Sequence, residues 1–199
     1  MLDISDVHLL PSLESLSKTY HGVSITTPYK ESYLSHSSLK IDLPTTQLRA
    51  INCLGFPGDD FKATNTDYLG FKDIFLQEFL PTNRRIVILG DGVMARIVKH
   101  LAHELNLEFD QYCRKNNGDL THFSIPQPKL HDSKLLIINC CDRNFVFKGL
   151  CPSDSWFWDL NYDLAPHKDS LPNKCERYLD GSSLLMAQAR HALLFWGIK

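Results

Sequence analysis

The stretch from Arg84 to Arg96 constrains this chain more than any other. Ile86-Val87-Ile88-Leu89 is a short run of strand-forming residues. It leads without a break into Gly90-Asp91-Gly92-Val93-Met94-Ala95, a G-x-G-x-x-A turn. A helical pattern starts at once, with Val93, Met94, Ile97, Val98, Leu101, Ala102 and Leu105 on one face. Strand, glycine turn and helix in this order are half of a βαβ unit, which needs a parallel sheet behind it. In such a turn the first glycine permits the tight bend and the second lets backbone approach a pyrophosphate. A small third residue lets helix and strand pack closely, and free N–H groups at the helix start face the anion. The other reading is an ordinary βα turn. Asp91, Val93 and Met94 speak for it, because an acid and two bulky side chains stand where phosphate would lie.

Beyond that helix, Leu107 to Cys113 alternates as a strand and ends at Arg114 and Lys115. In a dinucleotide fold this position faces the adenosine ribose, where an acid favours NAD and a base the 2′-phosphate of NADP. Cys113-Arg114-Lys115 therefore predicts NADP, if a nucleotide binds. Asn116 to Pro128 holds too much Asn, Gly and Pro for a good helix, so this half is expected to be trimmed. Leu135 to Cys140 and Trp156 to Leu160 read as buried parallel-type strands. Arg177-Tyr178-Leu179 leads into Asp180-Gly181, and a last helix is expected from about Ser183 to Trp196.

The residues before Arg84 are organised differently. Ser5 to Tyr20 shows helical spacing, with Pro11 as an irregularity. Val23 to Thr26 reads as a strand, and Pro28 suits the start of a helix, which puts Lys30 in its first turn. The helix dipole disfavours a cation there, so an exposed lysine and a functional one both remain open. Ala50 to Leu54 and Phe61 to Thr64 read as two strands joined by the turn residues Gly55 to Asp60. Asn65-Thr66-Asp67 opens a helix carrying Leu69, Phe71, Ile74, Phe75 and Phe79, so that locally Asp67 reads as a cap. Pro81-Thr82-Asn83 ends this segment and is the expected domain boundary.

Composition excludes several classes of function. The 199 residues carry a formal charge of −2, which leaves no basic footprint for nucleic acid. The six cysteines show no C-x-x-C spacing and read as reduced, mostly buried thiols of an intracellular protein. No signal peptide and no membrane-length apolar run is visible, so a cytoplasmic location is expected. His100, His103 and Glu104 share a helix but lie on its polar face, and they read as solvated rather than as metal ligands.

Taken together, the motifs resemble the shikimate dehydrogenase family across nearly the whole chain from Asp6 onward. Gly22-Val23-Ser24-Ile25-Thr26-Thr27-Pro28-Tyr29-Lys30 is similar to G-x-N-V-T-x-P-x-K, Ala50 to Leu54 to A-V-N-T-L, and Asn65-Thr66-Asp67 with Gly70 to N-T-D-x-x-G. Gly90 to Ala95 resembles the glycine turn, and Cys113-Arg114-Lys115 the N-R-T that grips the NADP phosphate. Asp159-Leu160-Asn161-Tyr162 and Asp180-Gly181 through Gln188-Ala189 resemble the closing motifs. The resemblance implies reversible, NADPH-dependent reduction of 3-dehydroshikimate to shikimate, a step of chorismate and aromatic amino acid biosynthesis. It implies Lys30 as proton donor and Asp67 as its partner, with Thr26, Asn52, Asp67, Tyr162 and Gln188 binding substrate. Gly90, Asp91, Gly92, Val93, Met94, Ala95, Cys113, Arg114 and Lys115 would bind NADP, with Leu160 and Gly181 at the nicotinamide.

Three departures mark this chain. The family's N-terminal strand and helix, with an S-x-S motif that holds the substrate carboxylate, have no counterpart before Asp6. Ser24 stands where the family has Asn, and Asp91-Gly92-Val93-Met94 replaces a turn richer in glycine and alanine. They motivate an alternative, a weakened or inactive relative that binds nucleotide or a quinate- or shikimate-like ligand as a sensor or subunit. A quinate or other hydroxy-acid substrate on the same pair is a third reading. The expected architecture is α/β, with a small substrate-binding lobe and a reduced Rossmann lobe that binds NADP, and a cleft between them. Residues 1–80, joined by the helix 182–199, form the first lobe and residues 81–181 the second. An open sheet edge in the substrate lobe would favour a homodimer.

Overall fold

The computed structural model describes residues 2–127 and 134–198. Pro128, the last residue of the stretch read as unsuited to a helix, lies outside the described residues. The chain divides into two compact units, Met1–Leu69 with Gln188–Lys199, and Gly70–Ala187.

In the first unit the N-terminal helical pattern breaks in two, because Pro11 offers no N–H to continue a ladder. A 3₁₀ turn spans Val7–Leu9, and helix α1 spans Leu13–Ser17 with Ser12 Oγ accepting the Ser15 N–H at 3.2 Å. Strand β1 is Gly22–Ser24. Strand β2 (Leu39–Ile41) and helix α2 (Leu43–Leu48) follow, the latter capped by Asp42, whose Oδ1 accepts the Thr45 N–H at 2.8 Å. Strands β3 (Cys53–Gly55) and β4 (Phe61–Thr64) form the expected hairpin, paired Cys53↔Thr64 and Leu54↔Ala63. The sheet order is β1-β3-β4-β2, antiparallel except for the parallel pair of β2 with β4. Leu13, Leu16, Leu39, Ile51, Leu54, Phe56 and Ala63 make its core. The C-terminal helix α7 (Ser182–Phe195) closes the unit: Trp196 Nε1 donates to the Leu54 carbonyl at 2.7 Å. Gly22 leaves room for that indole, since a Cβ there would lie 2.0 Å from Trp196 Nε1.

The second unit is a five-stranded sheet, parallel throughout, in the order β6-β5-β7-β8-β9. Its strands are β5 (Arg85–Leu89), β6 (Phe109–Tyr112), β7 (Leu135–Asn139), β8 (Trp156–Asp159) and β9 (Arg177–Leu179). Val87, Leu89, Leu135, Ile137 and Phe157 lie in one core cluster, as the continuous apolar runs require. Helix α3 (Thr66–Ile74) passes into a π-type turn at Phe75–Phe79, which stacks Phe71 at 5.0 Å and Phe79 at 4.5 Å on the Trp158 ring. Helix α4 (Val93–Glu104) follows the glycine turn and buries Ala95, Ile97, Val98, Leu101 and Ala102. Among the described residues only a four-residue helix, α5 (Arg114–Asn117), lies between β6 and β7, where a doubly wound fold usually carries a full crossover helix. Helix α6 (Ala165–Ser170) connects β8 towards β9. Among the described residues no helix is long and apolar enough to cross a membrane.

Candidate active site

The segment carrying Lys30 does not form the α-helix expected of it. Thr27–Pro28 is a cis peptide, and only a single 3₁₀ turn follows, Tyr29–Glu31, opened by Tyr29 N–H donating to the Thr26 carbonyl at 2.9 Å. The Lys30 carbonyl accepts the Ile51 N–H at 2.7 Å, and the Tyr29 hydroxyl donates to the Ile4 carbonyl at 2.6 Å. The backbone of Lys30 is therefore fixed by the segment leading into β3 rather than by a helix.

Its side chain reaches Asp67. Lys30 Nζ donates to Asp67 Oδ2 at 2.5 Å, and the two side chains are only 13% and 8% exposed. Asp67 is not the cap of α3. Asn65 is: its Oδ1 accepts the Tyr68 N–H at 3.0 Å while its Nδ2 donates to the Ala50 carbonyl at 2.9 Å. Thr66 is held in turn by Asn52, whose Oδ1 accepts the Thr66 N–H at 2.6 Å and whose Nδ2 donates to Thr66 Oγ1 at 3.0 Å. With the cap and the first residue of the helix both held, the Asp67 carboxylate is left for the lysine. A buried acid beside a lysine can hold an incoming hydroxyl between them and exchange one proton with it. Next to this pair burial pushes the Cys53 thiol up to about 12, with the Asp67 charge adding to the effect.

The other expected substrate residues sit as follows. Asn52 is buried, with its amide committed to Thr66. Thr26 is exposed beside the 3₁₀ turn, and Gln188 is half-buried on α7. Tyr162 belongs to the second unit, 45% exposed, with the Arg143 guanidinium 4.9 Å from its ring centroid and donating to its carbonyl at 2.7 Å.

In the second unit the glycine turn ends β5 beside the point where strand order reverses, between β5 and β7. Gly90 has φ +105°, and a Cβ there would lie 3.2 Å from the Cys140 backbone, so glycine is required. Gly92 precedes α4 and gives it no side-chain cap, and the space its Cβ would occupy is open. Uncapped N–H groups at a helix start with open space in front of them fit a phosphate. Asp91 is exposed, Val93 and Met94 are half-buried, and Ala95 is fully buried against the sheet. Beyond β6, Cys113 is buried and Arg114 and Lys115 are exposed in the first turn of α5, free to meet an anion. The residues present thus fit a dinucleotide with an extra phosphate. Cys141 stands near this edge, and burial first, then Asp142 and Asp159, push its thiol up to about 12, so it stays protonated at neutral pH.

Leu160 and Gly181 meet each other. The Gly181 N–H donates to the Asn161 carbonyl at 3.0 Å, and a Cβ on Gly181 would stand 2.3 Å from the Leu160 carbonyl oxygen. Sequence reasoning did not find Asn65 as the cap, nor the buried set Asn139, Asp159 and His167. An asparagine closing the otherwise apolar β7 was a signal for that set, whereas His167 gave none.

No family model matches the chain. Curated relatives do. A shikimate dehydrogenase (NADP(+)) of Clostridium botulinum (strain Loch Maree) is 31% identical over 202 residues, which cover 89% of this chain and 77% of the relative. The enzyme of the same name from Prochlorococcus marinus is 27% identical over 220 residues, covering 92% and 76%. Among solved structures, shikimate 5-dehydrogenase of Thermus thermophilus, in complex with NADP(H) and shikimate, superposes with a TM-score of 0.67 at 20% identity. That match covers 94% of this chain and 79% of the other, and it carries the fold. With about nine-tenths of its length matched to a relative 31% identical to it, the chain belongs to the shikimate dehydrogenase family.

Proposed function

We propose that this chain catalyses the reversible, NADPH-dependent reduction of 3-dehydroshikimate to shikimate. The observation that carries the reading is the Lys30–Asp67 pair at 2.5 Å, withdrawn from water, on a backbone fixed independently of it. NADPH, when bound, would supply the hydride to the ketone carbon. Lys30 would give its proton to the oxygen as that oxygen becomes an alkoxide, and its positive charge would stabilise the developing negative one. Asp67 would hold Lys30 in place and accept a hydrogen bond from the neighbouring substrate hydroxyl. In the reverse direction the same lysine, uncharged, would remove the hydroxyl proton. Thr26, Tyr162 and Gln188 would hydrogen-bond the remaining hydroxyls or the carboxylate, and Asn52 would act chiefly through Thr66, which it brackets.

For the cofactor, Gly90, Gly92 and the start of α4 would take the pyrophosphate, with Asp91, Val93, Met94 and Ala95 shaping the turn. Arg114 and Lys115, following Cys113, would hold the 2′-phosphate, a charge-assisted contact that neutral NAD ribose lacks. Leu160 and Gly181 would line the nicotinamide. Shikimate-dependent reduction of NADP, followed by absorbance, tests the proposal. Turnover with wild type and none with Lys30→Ala is expected. A Lys30→Ala variant as active as wild type would remove the lysine from the mechanism, and wild type that binds NADP yet turns over no shikimate would reject the reaction.

A further inference from the structure

The parallel sheet of the second unit encloses a polar network whose centre makes no part of the proton chemistry. Asn139 ends β7 and Asp159 ends β8, and both are fully buried. Asp159 Oδ1 accepts from Asn139 Nδ2, from the Asn161 N–H and from Asn161 Nδ2, each at 3.0 Å. Its Oδ2 meets Nδ1 of His167, on α6, at 2.5 Å, and His167 is also fully buried. The other ring nitrogen, Nε2, accepts the Phe147 N–H at 2.7 Å. A nitrogen that accepts carries no proton, so the imidazole is neutral and its one N–H points at the carboxylate.

The network reaches the edge of the sheet where the ligand is expected. Asn161 Nδ2 donates to the Cys141 carbonyl at 3.1 Å, and the Cys141 N–H to Asn139 Oδ1 at 3.2 Å. The Leu160 N–H donates to the Asn139 carbonyl at 3.1 Å, and Gly181 hangs from the Asn161 carbonyl. Asn161, and Gly181 through it, thus take their positions from one carboxylate, and His167 holds the second oxygen of that carboxylate.

We infer that His167 is a positioning residue for the nicotinamide half of the dinucleotide, acting through Asp159 without touching the cofactor. The inference rests on the dinucleotide reading proposed above. His167→Phe keeps the volume and apolar fit but leaves Asp159 Oδ2 and the Phe147 N–H without partners, whereas His167→Asn keeps a donor towards Asp159. Calorimetry should show NADP binding weakened at least tenfold in His167→Phe and largely restored in His167→Asn. Adenosine 2′,5′-bisphosphate, which lacks the nicotinamide half, should bind all three proteins within twofold. Equal weakening of both ligands, or unchanged NADP binding, would overturn the inference. Because His167→Phe can fail to fold, the wild-type protein provides a second measurement. The nitrogen-15 and proton resonances of the His167 Nδ1–H group should shift on addition of NADP and stay put with the bisphosphate. A resonance indifferent to NADP overturns the inference alone. Wild type that binds neither ligand overturns the dinucleotide reading, and this inference with it.

Discussion

Replacing Lys30 by methionine should separate stability from catalysis. The substitution keeps the length of the side chain and removes its charge, so Asp67 is left 8% exposed beside an apolar neighbour. At 2.5 Å the gross attraction is about 7 kcal/mol with an effective dielectric of about 20. Desolvation of both charges offsets most of it, and removing one partner of such a pair typically costs about 3–5 kcal/mol. Because both side chains keep some contact with water, about 3 kcal/mol is expected for Lys30→Met. The double variant Lys30→Met/Asp67→Leu removes the stranded charge as well and should regain about 2 kcal/mol of that loss. A chain of two units need not unfold in one step, so global denaturation is a poor probe. Native-state hydrogen exchange at Leu54 and Ala63, paired across β3 and β4, reports on the unit concerned. Turnover should fall roughly 10²- to 10⁴-fold in the single variant and recover nothing in the double. A double variant no more protected than Lys30→Met, or a single variant within about 0.5 kcal/mol of wild type, an exposed-pair value, would refute the argument that a desolvated pair is held there.

Arg114→Ala and Lys115→Ala should each weaken NADP binding roughly 10- to 100-fold, the range expected of one ionic hydrogen bond, while NAD binding stays the same. Competition titration measures this, and equal losses for both cofactors would contradict the assignment. Gly181→Ala pushes a methyl against the Leu160 carbonyl oxygen, now 2.3 Å from where it would sit. A loss of about 1–3 kcal/mol, the usual range for overpacking, should appear as a lower melting temperature together with weaker NADP binding. Gly22→Ala should cost a similar amount by displacing the Trp196 indole, and Gly22→Ala/Trp196→Phe should be nearly additive-free, the second change adding little to the first. Glu176 is held down to about 2 by hydrogen bonds from Lys134, Trp156 and Arg84, in that order. Its native-state value lies below the unfolded one, so the stability it contributes is complete above the unfolded value and fades as pH falls towards about 2. Glu176→Gln should flatten the acid limb of a stability-against-pH curve in that window and leave neutral pH little changed in slope.

The second unit was legible because its signals are long and agree with one another. Four apolar residues of β5, the glycine turn and the helical face of α4 each imply the other two, and β7 and β8 are runs with no competing period. The first unit was harder. Strand β2 has three residues, and α2 holds together through the Asp42 cap and a left-handed Arg49 at φ +52°. The helix expected after Pro28 shrank to one turn, and Ala50 to Asn52 did not join β3. There the backbone answers partners far along the chain, such as Ile51 N–H bonding the Lys30 carbonyl, which no local pattern encodes. Lys30 and Asp67 could be named from family motifs, but that Asn65 rather than Asp67 caps α3 depends on Ala50 lying within reach of its amide. His167 shows the limit most clearly. It lies among proline, lysine and aspartate in a segment that reads as exposed, yet it is fully enclosed, because the carboxylate that needs a fourth donor belongs to a strand eight residues earlier.

The bond from Trp196 to the Leu54 carbonyl joins residues 142 positions apart, across the whole of the second unit in the chain. On a ribosome the hairpin of β3 and β4 emerges early and must wait, its indole lid still untranslated, while Gly70–Ala187 is made and can fold as a continuous segment. The half that carries Lys30 can then close only after the second unit has been made. During that interval its sheet lies without the indole that covers it in the finished protein, the kind of exposed surface that chaperones shield.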